Sequence, residues 1–140
     1  MATLNDVRMI AEELPGAFEK IEGHGGGASW RTRRGMFAWE RGPSGRDLEQ
    51  LAELGRAWPE GVVLGVRTAG LEARDELLAA FPDLFFTIPH FDGYPAVLLR
   101  LDVIEPEQLR EVLIEAWLER VSRTTAAEWL REHGLRARGE

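Results

Sequence analysis

Cysteine is absent from this 140-residue chain, which excludes disulfides, thiol catalysis and thiolate metal sites together. No apolar run approaches the roughly 18 residues that a membrane-spanning helix needs. The opening Met1-Ala2-Thr3-Leu4-Asn5-Asp6 lacks the basic-then-apolar order of a signal peptide, so a cytoplasmic protein without membrane contact is expected. The one asparagine, Asn5, is not followed by the x-Ser/Thr of a glycosylation site. A single lysine, Lys20, stands against 16 arginines, a bias of the kind that genome base composition produces. No stretch repeats and no linker is long enough to separate domains. One domain over residues 1–140 is expected, with its core between about 4 and 130 and a frayed tail over 135–140. That length can bury a core without covalent staples.

Net charge of −7 disfavours general affinity for phosphate backbones or anionic membranes. The charge is unevenly spread. Residues 24 to 46 hold Arg31, Arg33, Arg34, Arg41 and Arg46 against Glu40, a local +4 that leaves −11 for the rest of the chain. One basic patch on an otherwise acidic protein is therefore allowed.

The most informative segment runs from Leu84 to Leu101. It reads as two strands joined by a constrained loop: Pro89 and Pro95 each fix a backbone angle and remove a donor, and Gly93 permits a positive φ. His90, Asp92 and Tyr94 should hold set positions between the prolines, with an apolar strand behind them.

Elsewhere the pattern alternates between helix and strand. Thr3 and Asp6 resemble a capping box ahead of Leu4, Val7, Ile10, Ala11 and Leu14, which predicts a helix over 4–14. Phe18 and Ile21 fit a first strand, closed by the loop His24-Gly25-Gly26-Gly27. Residues 29–33 and 36–41 around Arg34-Gly35 read as a hairpin, with Trp30 and Thr32 on one face and Arg31 and Arg33 on the other. Ser44 or Asp47 can cap a helix carrying Leu48, Leu51, Gly55 and Trp58. A strand follows over 62–67, then a short helix over 71–81 with Leu77, Leu78 and Phe81 inward. Pro106 opens the clearest helix, which should bury Leu109, Val112, Leu113, Ala116, Trp117 and Val121. Thr125 with Glu128 suggests a second capping box before a last helix that Gly134 terminates. Hairpin connections with helices grouped at the ends predict an α+β fold, a two-layer arrangement whose antiparallel sheet is covered on one face by helices.

Few constellations carry chemistry. His24-Gly25-Gly26-Gly27 matches an oxyanion-hole loop, but Gly42-Pro43-Ser44-Gly45-Arg46 is no Gly-x-Ser-x-Gly nucleophile elbow. No phosphate-cradling Gly-x4-Gly-Lys-Ser/Thr or Gly-x-Gly-x-x-Gly is present. His90-x-Asp92 places two metal-capable side chains on one side of an extended segment, yet two ligands do not make a site, and no metal or cofactor is expected. His90 with Asp92 or Tyr94 could support acid-base chemistry, but no nucleophile lies nearby in sequence. His133, near a helix end, can meet a terminal carbonyl. Trp58, Trp117 and Trp129 fit helical core faces, whereas Trp30 and Trp39 could line a groove on the sheet.

The order Trp30-Arg31-Thr32-Arg33, Met36-Phe37-Ala38-Trp39-Glu40, Phe85 through Pro95, Arg100-Leu101-Asp102 and Leu109-Arg110-Glu111-Val112-Leu113-x-x-Ala116-Trp117 resembles the MmcQ/YjbR family. The resemblance spans residues from about 4 to 130. It implies a compact α+β unit similar to the CyaY-like or secretion-chaperone-like arrangement, and a DNA-binding role. Many members carry Gly-Lys before the Phe-Ala of the second hairpin strand, where this chain has Arg34-Gly35-Met36 before Phe37. The segment from Ser44 to Trp58 also looks longer than the turn of shorter members.

Three functions compete. The leading expectation is a non-enzymatic protein that binds DNA through Arg31, Arg33, Arg34, Arg41 and Arg46, in a weak and salt-sensitive way. The second is a module for a small molecule or protein partner using His90, Asp92, Tyr94, Trp30 and Trp39. The third is an enzyme centred on His90. A monomer and a homodimer both fit the sequence.

Overall fold

The computed structural model describes residues 1–21 and 27–134. His24, Gly25 and Gly26 of the glycine loop, and the tail 135–140, lie outside the described residues. The chain order is α1 (Leu4–Glu12), β1 (Phe18–Ile21), β2 (Ala28–Thr32), β3 (Gly35–Glu40), α2 (Gly45–Glu53), β4 (Val63–Arg67), α3 (Leu71–Ala80), β5 (Phe85–Phe86), β6 (Ala96–Arg100), α4 (Pro106–Leu118) and α5 (Arg123–Glu132). The six strands form one antiparallel sheet in the order β1-β2-β3-β4-β6-β5. The α+β architecture is thus the one that the helix and hairpin patterns predict.

The caps explain several of the boundaries. Thr3 accepts from the Asp6 N–H while Asp6 accepts from the Thr3 N–H, and Ser44 and Asp47 make the same reciprocal pair at α2. Each pair satisfies donors that a helix start leaves without internal partners. At α5 the expectation needs correction. Ser122 is the cap, its hydroxyl accepting from the Thr125 N–H at 3.1 Å, so Thr125 sits inside the helix.

The central strands β4 and β6 are buried on both faces, which is why they read as continuous apolar runs. Alternation sends Leu64, Val66, Val97 and Leu99 to the main core, where they meet Val7 and Ile10 of α1, Leu109, Leu113 and Trp117 of α4, and Trp129 and Leu130 of α5. Two of the buried indoles have their polar atoms paired: Trp117 Nε1 donates to the Pro15 carbonyl at 3.0 Å, and Trp30 Nε1 to Glu19 Oε1 at 3.0 Å. Each leucine fully buried here contributes about 2 kcal/mol.

Val63, Ala96 and Leu98 point the other way. They join Leu51 of α2 and Ile88 and Phe91 of the proline loop in a second, smaller cluster, with Trp39, Trp58 and Phe86 against it. The sheet is therefore covered by helices α1, α4 and α5 on one face and, in part, by α2 and the loop on the other. Trp58 lies beyond the end of α2, set edge-on to Phe86 at 5.5 Å, instead of on a helical face. Helix α3 has no fully buried residue, and Phe81 is 42% exposed where an inward position was expected. Leu48 is likewise exposed.

Candidate functional site

The β2–β3 hairpin turns at Arg33-Arg34, one residue earlier than the glycine suggests, with Thr32 paired to Gly35. The arginines keep negative φ, and Gly35 at φ +134° supplies the angle that closes the turn. Thr32 Oγ1 accepts from the Arg34 N–H at 3.1 Å and donates to the Arg120 carbonyl, which ties the hairpin tip to the end of α4. Because residue 35 has no Cβ, the Arg120 guanidinium packs 3.2 Å from where one would stand, and its Nε donates to the Met36 carbonyl at 3.0 Å.

These contacts border a cleft of about 310 Å³, lined by Thr32, Arg33, Arg34, Arg120, Ser122 and Thr125. Arg33 and Arg34 are exposed, and the first turn of α5 opens beside them. Helix starts favour negative charge, through unpaired N–H groups and the dipole. Burial, followed by the positive charge of Arg67, lowers the Arg120 pKa below its ordinary value. An anion beside Arg120 would relieve that unfavourable cationic environment.

The five arginines of the basic stretch are not one surface. Arg33 and Arg34 sit at the hairpin tip, whereas Arg41 follows the far end of the six-residue strand β3, roughly 20 Å away by strand rise. Arg41 Nη2 donates to Asp47 Oδ2 at 2.7 Å, and its guanidinium lies 5.8 Å from the Trp58 ring centroid and 5.9 Å from that of Phe91. Asp47 is itself buried; burial alone would raise its pKa, but hydrogen bonds from Ser44 and Arg41 outweigh that and lower it. Arg46 is exposed on the first turn of α2, and Arg31 is half-buried on β2.

The proline loop is pinned from several sides. Phe91 is buried against Trp39 and Tyr94, and Arg74 of α3 donates to the Phe91 carbonyl at 2.9 Å and the Tyr94 carbonyl at 3.3 Å. His90, Asp92 and Tyr94 are exposed, and among the described residues no side-chain hydrogen bond joins them. Trp30 belongs to the main core and Trp39 to the second cluster, so the two indoles lie on opposite faces of the sheet. Among the described residues no group of three His, Asp or Glu side chains is placed to hold a metal ion. His133 Nδ1 lies 2.8 Å from the Trp129 carbonyl, and its ring stacks on that indole at 3.9 Å. Sequence reading passed over Arg120. Nothing local marks it, because its neighbours at the hairpin come from residues 32–36.

These features define a small α+β protein with an arginine-bordered cleft where a sheet hairpin meets two helices. The chain belongs to the YjbR family, whose model matches residues 12–119. It is 39% identical over 134 residues to uncharacterized proteins of Mycobacterium bovis and Mycobacterium tuberculosis, covering 96% of this chain and 100% of each relative. The crystal structure of a Deinococcus radiodurans protein with a DUF419 domain superposes with a TM-score of 0.64 at 20% identity, covering 99% of this chain and 94% of that one. That likeness shows the shared fold. Among the described residues no helix is long and apolar enough to cross a membrane.

Proposed function

We propose that this protein is a non-enzymatic binding protein whose cleft at Arg33, Arg34 and Arg120 holds backbone phosphates of DNA. The convergence of three guanidinium-bearing side chains on one 310 Å³ cleft carries the reading. Two of them are exposed for approach, and the third is tethered by backbone contacts that set its position. Arginine offers forked donors that suit phosphate oxygens. Phosphate contacts fix register without reading bases, so binding with little sequence preference follows. The net charge of −7 limits long-range attraction and keeps the affinity weak.

The test is fluorescence anisotropy of labelled duplex and single-stranded DNA over a salt series, with the Arg33→Glu/Arg34→Glu double variant alongside. Two or three phosphate contacts give a log-log salt slope of about −2 to −3 on duplex DNA. The double variant is expected to lose binding while keeping its thermal transition. No binding at low salt, or equal binding by the variant, overturns the proposal.

A further inference from the structure

A second cavity, of 430 Å³, lies between α3 and α4 on the main-core face of the sheet. Each helix turns one full stripe toward it. Ala73, Glu76, Leu77 and Ala80 line it from α3, and Gln108, Glu111, Val112 and Glu115 line it from α4. Both sets follow the i, i+3, i+4, i+7 spacing of a single helical face, the pattern that ordinarily interlocks two helices. Here the faces stay apart. The alanines are too short to fill the space, and Glu76 and Glu111 line it from opposite helices, so closer approach would bring like charges together.

The floor is apolar and partly aromatic. Val66 and Phe85 come from the sheet, and Phe81 stands beside Phe85 with ring centroids 6.3 Å apart. Leu77 and Val112 are only partly buried against the core, so each has apolar surface left to cover. Among the described residues, the arginines of these two helices are directed elsewhere. Arg74 turns to Asp75 and to the Phe91 and Tyr94 carbonyls, and Arg110 pairs with Glu13. Arg67 is the one basic residue lining the cavity among the described residues, and its guanidinium lies 5.9 Å over the Tyr94 ring.

We infer that this groove is a binding site for a small organic cation with an apolar body, an aryl-alkyl or alkyl ammonium. Its body would lie on Phe81, Leu77 and Val112, and its charged end would sit at the rim between Glu76 and Glu111. The volume falls in the range of small-molecule sites, which combine an apolar lining with a few polar groups that orient the ligand. Aromatic faces attract cations, and two carboxylates on facing helices give the charge preference its sign. The site is separate from the arginine cleft and is charged oppositely.

The probe is phenylbutylamine, titrated into the full chain and followed by amide chemical shifts, with phenylbutanol and phenylbutyrate as neutral and anionic counterparts. Saturable shifts centred on α3 and α4 are expected for the amine. Its affinity should exceed that of the alcohol by roughly fivefold, the worth of two exposed ion pairs, and Glu76→Gln/Glu111→Gln should remove that margin. Ala73→Trp fills the groove and should abolish binding; Ala80→Phe is the second filler should the first fail to fold, judged by thermal melting. Absence of saturable binding, equal affinity for the three probes, or unchanged binding in a folded filler variant overturns the inference. Binding of a basic amphipathic peptide without binding of the amine overturns it as well.

Discussion

The indole of Trp39 lies directly over Gly65, where a Cβ would come within 2.3 Å of the ring. The two residues are register partners on β3 and β4, so the missing side chain on one strand makes room for the large one on its neighbour. Trp39 then reaches Phe91, with centroids 6.5 Å apart, and helps to fix the proline loop to the sheet. Gly65→Ala forces a shift of a packed ring and is expected to destabilise the fold by about 1–3 kcal/mol. Urea melts check the size, and a change in near-ultraviolet dichroism would report the displaced indole.

The Asp47 carboxylate has a folded pKa below its unfolded one, so its contribution is full above the unfolded value and is lost as pH falls through the folded one. Asp47→Asn is expected to lower stability at pH 6 by about 1–3 kcal/mol, with the difference from the wild type shrinking once the pH is taken below about 4. Paired urea titrations at pH 6 and pH 3 measure both arms. A difference that stays constant with pH would refute the role.

Arg41 and the tip arginines should separate cleanly. Arg41→Met removes the partner of a buried carboxylate and is expected to destabilise the protein while leaving DNA affinity within about twofold, as for a site that makes no phosphate contact. Arg33→Glu/Arg34→Glu should do the reverse. Thermal melts and anisotropy on the same preparations test the pair of outcomes.

Within the proline loop, stability should reside in Phe91. Phe91→Ala removes a buried ring and is expected to cost about 3–5 kcal/mol, whereas His90→Ala, at an exposed position, should stay within about 0.5 kcal/mol and leave DNA binding unchanged. A large loss of binding in His90→Ala would move the working surface from the cleft to the loop.

Ser122→Ala tests the corrected cap of α5. Loss of the bond to the Thr125 N–H is expected to cost about 1 kcal/mol, while Thr125→Ala costs less because its N–H still reaches Ser122. Chemical denaturation distinguishes the two.

Much of the fold was legible along the chain. The caps at Thr3 and Ser44, proline at the start of α4, the periodic face from Leu109 to Trp117 and the apolar strands β4 and β6 are local patterns, set by spacing and by residue chemistry. The start of α5 was misplaced because Ser122 and Thr125 both have a cap's chemistry, and only the hydrogen bond between them tells which one serves. The second cluster was not legible as a cluster, since its members come from β3, α2, β4, the proline loop and β6.

The same division holds for the candidate site. A basic hairpin could be read from Arg31, Arg33 and Arg34, whose charge is a property of the residues alone. That Arg41 is bound to Asp47, that Trp30 and Trp39 part to opposite faces, and that Arg120 joins the hairpin tip were decided by folding. Sequence by itself determined the elements, the caps of α1 and α2 and the count of charges, because these depend on neighbours a few residues apart. Tertiary structure alone decided which charges are spent within the fold and which face outward, because that depends on contacts such as the one between Arg120 and Met36, 84 residues distant along the chain.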